Sequence, residues 1–159
     1  MYDSIIILGA TASGKTDVSI NLASKLNAEI VNADSMYIYK DFDIGTAKPT
    51  KFEMKGIKHH LISFVDPTES FSVADYRENA KIVINNLNYK HIIPIVVGGT
   101  GFYIDSLINS FSYGGDKDQK LRTELESEAK VMGNDYLYSR LSNLDVETAK
   151  KLHPNDVKR

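Results

Sequence analysis

The sequence predicts an α/β fold, a mostly parallel sheet flanked by helices, and three observations carry that prediction. Segments of strand character alternate with segments of helical spacing, the pattern of a parallel sheet joined by crossover helices. The residues Gly9-Ala10-Thr11-Ala12-Ser13-Gly14-Lys15-Thr16 fit G-x-x-x-x-G-K-[ST] without a mismatch, between an apolar run and a helical stripe. The segment Ile92–Val97 is almost continuously apolar, as expected of a strand buried on both faces.

Each element follows in order. The first strand is Ser4–Leu8, and Val18, Leu22 and Leu26 give its helix, from about Gly14 to Leu26, an apolar stripe. Glu29-Ile30-Val31 is the second strand and ends in Asn32-Ala33-Asp34-Ser35. A loop-rich stretch follows, broken most clearly at Gly45-Thr46-Ala47-Lys48-Pro49. Leu61–Val65 reads as a third strand, stopped by Asp66-Pro67. Ser72 with Asp75 three residues on is a helix-capping pair, and Val73, Tyr76, Ala80, Val83, Ile84 and Leu87 form the stripe behind it. Ile92–Val97 runs into Gly98-Gly99-Thr100-Gly101, and another helix starts near Phe102. Past Tyr113-Gly114-Gly115 the chain turns charged, with Leu121, Leu125, Leu137, Leu141, Leu144 and Leu152 at roughly helical intervals. Two or three amphipathic helices forming a lid or insertion are expected there. The predicted organisation is a core over 1–112, a helical lid over 113–152 and a return to the core at 153–159.

Composition narrows the class. The length of 159 residues suits one domain with a real core, and 42% hydrophobic with 25% charged residues is ordinary for a globular chain. No run of 18 apolar residues and no secretory leader are seen, so a cytoplasmic protein without a membrane span is expected. The absence of cysteine excludes disulfides and thiolate metal sites. A net charge of −2 does not advertise a nucleic-acid binder, but local clustering can override it. Lys40, Lys48, Lys51, Lys55 and Lys58 crowd the stretch before His59-His60, against Asp41, Asp43 and Glu53. That run is either a solvated face or a basic surface for a phosphate backbone.

The motif at Gly9–Thr16 carries the chemistry. Its glycines let successive N–H groups face one phosphate chain, and the helix N-terminus adds its positive dipole end. Lys15 reaches the outer phosphates and the Thr16 hydroxyl holds Mg²⁺. A diphosphate or triphosphate is the expected ligand, on a P-loop NTPase-like sheet of the nucleotide-kinase type. In parallel sheets ligands bind beyond the carboxyl ends of the strands, so Lys15, Thr16, Asp34 and Thr100 converge on one crevice. Asp34 is an N-cap, a ligand in the outer sphere of Mg²⁺ or a general base. Thr100 either satisfies a tight Gly-rich turn or faces the ligand. His59 and His60 are adjacent and project in different directions, which favours structural roles over a zinc site.

Taken together, several stretches resemble the tRNA dimethylallyltransferase (tRNA isopentenyltransferase) family. They are Gly9–Thr16, Asn32-Ala33-Asp34-Ser35-Met36 with Tyr39-Lys40, and Asp43-Ile44-Gly45-Thr46-Ala47-Lys48-Pro49. His59-His60-Leu61-Ile62, Asp66-Pro67 with Phe71-Ser72-Val73-Ala74, and Pro94–Gly101 with Tyr103 follow, and His153-Pro154-Asn155-Asp156 with Arg159 ends the series. The family usually has proline at Ala10, glutamine at Tyr37, proline at Lys58 and aspartate at Ser63. Its members are longer, so the resemblance is to an N-terminal portion, with a last core strand and a diphosphate-holding arginine expected beyond Arg159.

The resemblance implies transfer of a dimethylallyl group from dimethylallyl diphosphate to the exocyclic amine of the adenosine 3′ of the anticodon in tRNA. It assigns Asp34, Lys15 and Thr100 to catalysis, and Gly9, Ala10, Thr11, Ala12, Ser13, Gly14, Lys15 and Thr16 to the diphosphate, with Mg²⁺ on Thr16. Contact with the tRNA anticodon loop falls to Asp34, Ser35, Met36, Tyr37, Thr100, Arg122, Lys158 and Arg159, in a protein expected to be a monomer. Two other classes fit the phosphate loop: a small-molecule kinase of the shikimate or nucleotide type, and a nucleotide- or RNA-binding module without catalysis. Against the kinase, the region 113–140 holds only Arg122 and Arg140 as arginines. Ligand choice separates the three.

Overall fold

The computed structural model describes residues 4–109 and 118–156. Its elements are β1 Ile5–Leu8, α1 Lys15–Leu26, β2 Glu29–Asn32, β3 His59–His60, α2 Val73–Tyr89, β4 Pro94–Gly98 and α3 Gly101–Ile108. Three more helices follow: α4 Gln119–Met132, α5 Asn134–Leu144 and α6 Val146–Ala149. The chain divides into two compact units, Met1–Tyr113 and Gly114–Arg159.

In the first unit the four strands are parallel and ordered β1-β4-β2-β3. Alternate side chains of the central strands serve opposite faces of the sheet. On one face Ile30 and Ile95 pack with Ile20, Ala23 and Ala28 of the α1 layer. On the other, Val31 and Val96 pack with Tyr76, Ala80, Ile84 and Leu87 of α2 and with Tyr103 and Ile104 of α3. This accounts for the near-continuous apolar reading of β4. The predicted stripe on α2 is the buried stripe, and the helix opens with the predicted capping box, in which Ser72 and Asp75 satisfy one another's backbone N–H.

The third strand differs from expectation. Pairing with β2 stops after His60, and Leu61–Val65 is not a strand. Leu61 and Ser63 adopt positive φ values of 57° and 50°, which an extended ladder cannot contain. A single bridge between Tyr39 and Val65 replaces the pairing. The apolar run was legible, and the local backbone reversal inside it was not.

Register is what positions a site. Leu8 lies opposite Gly98, and Asn32 lies opposite Val97, so β1, β4 and β2 end abreast. Gly98 permits this: a Cβ there would lie 2.1 Å from the carbonyl carbon and oxygen of Ala33. The next residues of all three strands therefore leave the sheet at one edge.

The second unit is helical over its described residues. Asp118 caps α4 by accepting the Leu121 N–H, and Asp145 caps α6 by accepting the Thr148 N–H. Gly133, at φ 86°, turns the chain between α4 and α5. Arg140 pairs with Glu128 at 2.8 Å across α5 and α4, and Tyr138 donates to Ala149 O at 3.1 Å. Of the leucines read as its stripe, Leu125, Leu137, Leu141 and Leu152 are half-buried, whereas Leu121 and Leu144 are exposed.

Candidate functional site

The loop after β1 turns sharply before α1. Gly14 precedes α1 in the left-handed region at φ 82°, where glycine carries no steric cost, and Ala12 sits there too at φ 62°. Ala10 O accepts both the Ser13 N–H and the Lys15 ammonium, so the lysine stem lies back along its own loop. A side chain at Gly9 would meet Ser13 Oγ at 3.0 Å and the Lys15 stem at 3.5 Å, so the loop packs closely over that residue. Lys15 and Thr16 are half-buried, whereas Ala10, Thr11, Ala12, Ser13 and Gly14 are exposed. The motif stands at the first turn of α1, as predicted.

The end of β2 is held by a residue that sequence reading passed over. Asn32 is 4% exposed, and its amide serves two chain segments. Its Oδ1 accepts the Asp34 N–H at 3.0 Å, and its Nδ2 donates to Asp34 O at 3.0 Å and to Leu61 O at 2.9 Å. Asp34 is thus fixed on both sides of its backbone, and its Oδ1 accepts the Met36 N–H at 2.9 Å. The carboxylate caps the turn at 34–37, and Oδ2 faces Gly99: a methyl group at Gly99 would lie 3.6 Å from Asp34 Oδ2 and 3.5 Å from Gly9 O. An asparagine closing a strand before an acidic turn is ordinary in sequence, and the burial that gives it meaning is not legible there.

The end of β4 completes the edge. Thr100 N donates to Ala33 O at 3.2 Å, and Thr100 Oγ1 accepts the Ser35 N–H at 2.9 Å and donates to Ser35 Oγ at 3.2 Å. Gly9 at the start of the phosphate loop, Asp34, Ser35 and Thr100 therefore lie at one edge of the sheet.

Tyr37 donates to Ala47 O at 2.7 Å, and its phenol is pushed up by burial and by the Asp34 charge. Tyr103 stacks on Tyr76 with ring centroids 3.9 Å apart and planes 5° from parallel. Burial first, then the charges of Tyr39, Asp34 and Asp75, push Tyr103 up to about 12, so both phenols near Asp34 stay protonated at neutral pH. Met36 is exposed beside them.

The histidine pair has structural partners. His59 Nδ1 donates to Ile57 O at 2.9 Å, and burial holds its ring below the usual imidazole range. His60 Nε2 pairs with Glu29 Oε2. No group of three or more His, Cys, Asp or Glu residues suited to a metal exists among the described residues. Beside Thr16, a cavity of about 30 Å³ is lined by Ser19, Ile30, Asn32, Tyr37, Pro49, His59, Ile62 and Val97, room for a water and not for a larger ligand.

Arg122 lies in the second unit on α4, exposed and paired with Glu126 at 3.0 Å. Lys158 and Arg159 lie outside the described residues, as does the predicted boundary at 113. No described helix is long and apolar enough to cross a membrane.

Comparison with known proteins follows the same lines. The family model for IPP transferase matches residues 37–159. The tRNA dimethylallyltransferase of Alkaliphilus oremlandii is 51% identical over 156 residues, covering 98% of this chain and 50% of that protein. That of Acetivibrio thermocellus is 49% identical over 160 residues, covering 100% of this chain and 51% of the relative. Among solved structures, the full-length tRNA isopentenylpyrophosphate transferase of Bacillus halodurans is 42% identical with a TM-score of 0.70, over 100% of this chain and 53% of that one. A eukaryotic dimethylallyltransferase acting on tRNA is 34% identical with a TM-score of 0.85, over 98% and 39% respectively. The chain spans about half the length of the curated relatives it matches.

Proposed function

The chain belongs to the IPP transferase family, and from that membership we propose that it transfers a dimethylallyl group from its diphosphate to the exocyclic amine of the adenosine 3′ of the anticodon in tRNA. The observation that carries the reading is the single edge where the Gly9 loop, the Asp34 carboxylate and Gly99 meet within contact of one methyl group. A diphosphate donor on the loop and an amine acceptor beside Asp34 would then lie next to one another.

The chemistry sets the roles. The adenine nitrogen attacks the allylic carbon, forming the C–N bond as the C–O bond to diphosphate breaks. The electron pair of that bond leaves with the diphosphate, and the amine proton passes to Asp34. General-base assistance of this kind contributes typically about 10²–10⁴-fold. The N–H groups of Gly9–Thr16 and the Lys15 ammonium receive the charge gathering on the diphosphate. The base must leave its stack to arrive there, and Asp34, Ser35, Met36 and Tyr37 are the residues assigned to receive it, with Thr100 setting the turn. Arg122, Lys158 and Arg159 are assigned to tRNA contact, Arg122 to its phosphate.

The residues fit Mg²⁺ as well. Mg²⁺ would be held by the Thr16 hydroxyl at the first turn of α1 together with phosphate and water oxygens, as the phosphate-loop motif provides. When bound, the ion neutralises charge on the leaving diphosphate.

The test incubates the protein with unmodified tRNA, dimethylallyl diphosphate and Mg²⁺, digests the RNA and searches for the prenylated nucleoside. Its absence, together with phosphate transfer from ATP to a small hydroxyl compound, would replace this reading with the kinase one.

A further inference from the structure

Of the five lysines between 40 and 58, one does not belong to the surface. The Lys48 side chain is 4% exposed, while Lys40, Lys51, Lys55 and Lys58 are exposed. Its ammonium donates to Tyr39 O at 2.7 Å and to Ser63 Oγ at 2.9 Å, and meets Asp43 Oδ1 at 2.8 Å. Two of its hydrogens are engaged in hydrogen bonds, and its charge is paired with the Asp43 carboxylate.

These partners hold the segment that follows Asp34. Residues 37–40 run beside 63–65: Ser63 N donates to Tyr37 O at 2.8 Å, Phe64 N to Ile38 O at 2.8 Å, and Lys40 N to Val65 O at 2.9 Å. Lys48 joins both sides of that ladder through Tyr39 and Ser63. Tyr37 closes the same loop from the other end by donating to Ala47 O, next to Lys48. The chain here holds Asp41, Ala47 and Ser63 at positive φ, conformations that persist only where their surroundings enforce them.

A buried charge is a poor way to gain stability, because desolvation offsets most of what its partners return. The Asp43 carboxylate beside it is 67% exposed, which weakens the pair further. What a buried ammonium supplies that an apolar side chain cannot is directed donors beside a charge, and here two hydrogen bonds and one ion pair reach three separate points of the chain.

We propose that Lys48 is a positioning residue for RNA recognition: it latches the segment carrying Tyr37 onto Ser63 and makes no phosphate contact itself. The inference rests on the RNA reading above and adds that one member of the basic run acts from inside.

Salt dependence separates the two roles of a lysine. Each phosphate contact contributes roughly 0.7–0.9 to the slope of log affinity against log salt concentration, whereas a positioning residue contributes nothing to it. The experiment titrates an unmodified anticodon stem-loop RNA into the wild-type protein and Lys48→Met by fluorescence anisotropy over a series of salt concentrations. Calorimetry with dimethylallyl diphosphate and Mg²⁺ reports on the phosphate loop in the same samples. The expected result is a loss of RNA affinity of about tenfold or more, an unchanged salt slope and unchanged diphosphate affinity. A slope shallower by one phosphate contact overturns the proposal, and so does unaltered RNA affinity in the variant. A wild-type protein with no RNA affinity overturns the RNA reading and this inference with it. Should Lys48→Met lose diphosphate binding through misfolding, Ser63→Ala keeps the charge and deletes one acceptor. That variant must weaken RNA at constant slope, and wild-type affinity in it overturns the latch.

Discussion

Thr100 Oγ1 accepts the backbone N–H of Ser35 at 2.9 Å, joining the ends of β4 and β2 across 65 positions of sequence. The hydroxyl hydrogen is also committed, to Ser35 Oγ at 3.2 Å. Thr100 therefore holds the turn that carries Asp34. Thr100→Val keeps the shape and removes both bonds, leaving a half-buried N–H unpaired, which costs about 1–3 kcal/mol. The expected outcome is a lower urea midpoint and a transfer rate reduced by about tenfold, with Thr100→Ser near wild type. Equal rates for all three proteins under single-turnover conditions would separate Thr100 from the chemistry.

Asp34→Asn tests the proposed role of Asp34 as base. The amide keeps an oxygen for the Met36 N–H and the two bonds from Asn32 are to backbone, so the fold and the RNA affinity should hold. The single-turnover rate should fall by about 10²-fold or more. Asn32→Ala gives the complementary result: Asp34 keeps its carboxylate and loses its backbone anchor, so the rate falls while diphosphate affinity stays. A full rate in Asp34→Asn would reduce Asp34 to a turn cap, and a full rate in Asn32→Ala would show that the anchor is dispensable.

Much of this site was legible because its pieces obey local rules. The phosphate motif declares itself by spacing, and strand ends in a parallel sheet collect ligands whatever the sequence between them. Asp34 and Thr100 could be placed in one crevice on that ground alone. Asn32 and Lys48 could not, because their meaning lies in partners 29 and 15 residues away, Leu61 and Ser63. Both read as ordinary polar residues until the backbone near Leu61 turns back at positive φ. The same turn defeated the third-strand prediction, since apolar composition says nothing of a reversal within it. For Arg122 the helix was predicted, and no sequence rule fixes what an exposed arginine meets.

His59 makes stability depend on pH with a definite sign. Burial lowers its folded pKa beneath the ordinary 6.5, outweighing the Ile57 carbonyl that favours the charged ring, and His60 adds a further lowering. Below that value the unfolded chain takes up a proton that the native chain resists, so stability is full above it and falls as pH drops. The measurement compares urea midpoints at about pH 7.5 and about pH 5 for wild type and His59→Gln. The variant should lose less on acidification. An equal loss would move the acid sensitivity to the carboxylates.

Two glycines of the segment Gly98-Gly99-Thr100-Gly101 look alike in sequence and differ in what surrounds them. A Cβ at Gly98 would lie 2.1 Å from the Ala33 carbonyl carbon and oxygen and 2.7 Å from its Cα, all backbone atoms of the neighbouring strand. They cannot withdraw without breaking the ladder, in which Ala33 N donates to Val97 O at 2.7 Å. Gly98→Ala should therefore destabilise the protein by about 3 kcal/mol or more. A Cβ at Gly101 meets nothing within 4 Å, and its φ is not in the left-handed region. It is the first residue of α3, where alanine narrows the unfolded ensemble and costs the helix nothing. Gly101→Ala should stabilise by about 0.4–1 kcal/mol. Urea denaturation of both variants checks the pair. A Gly98→Ala protein as stable as wild type would mean that β2 and β4 do not approach this closely, and the register that gathers Asp34, Thr100 and the phosphate loop at one edge would fall with it.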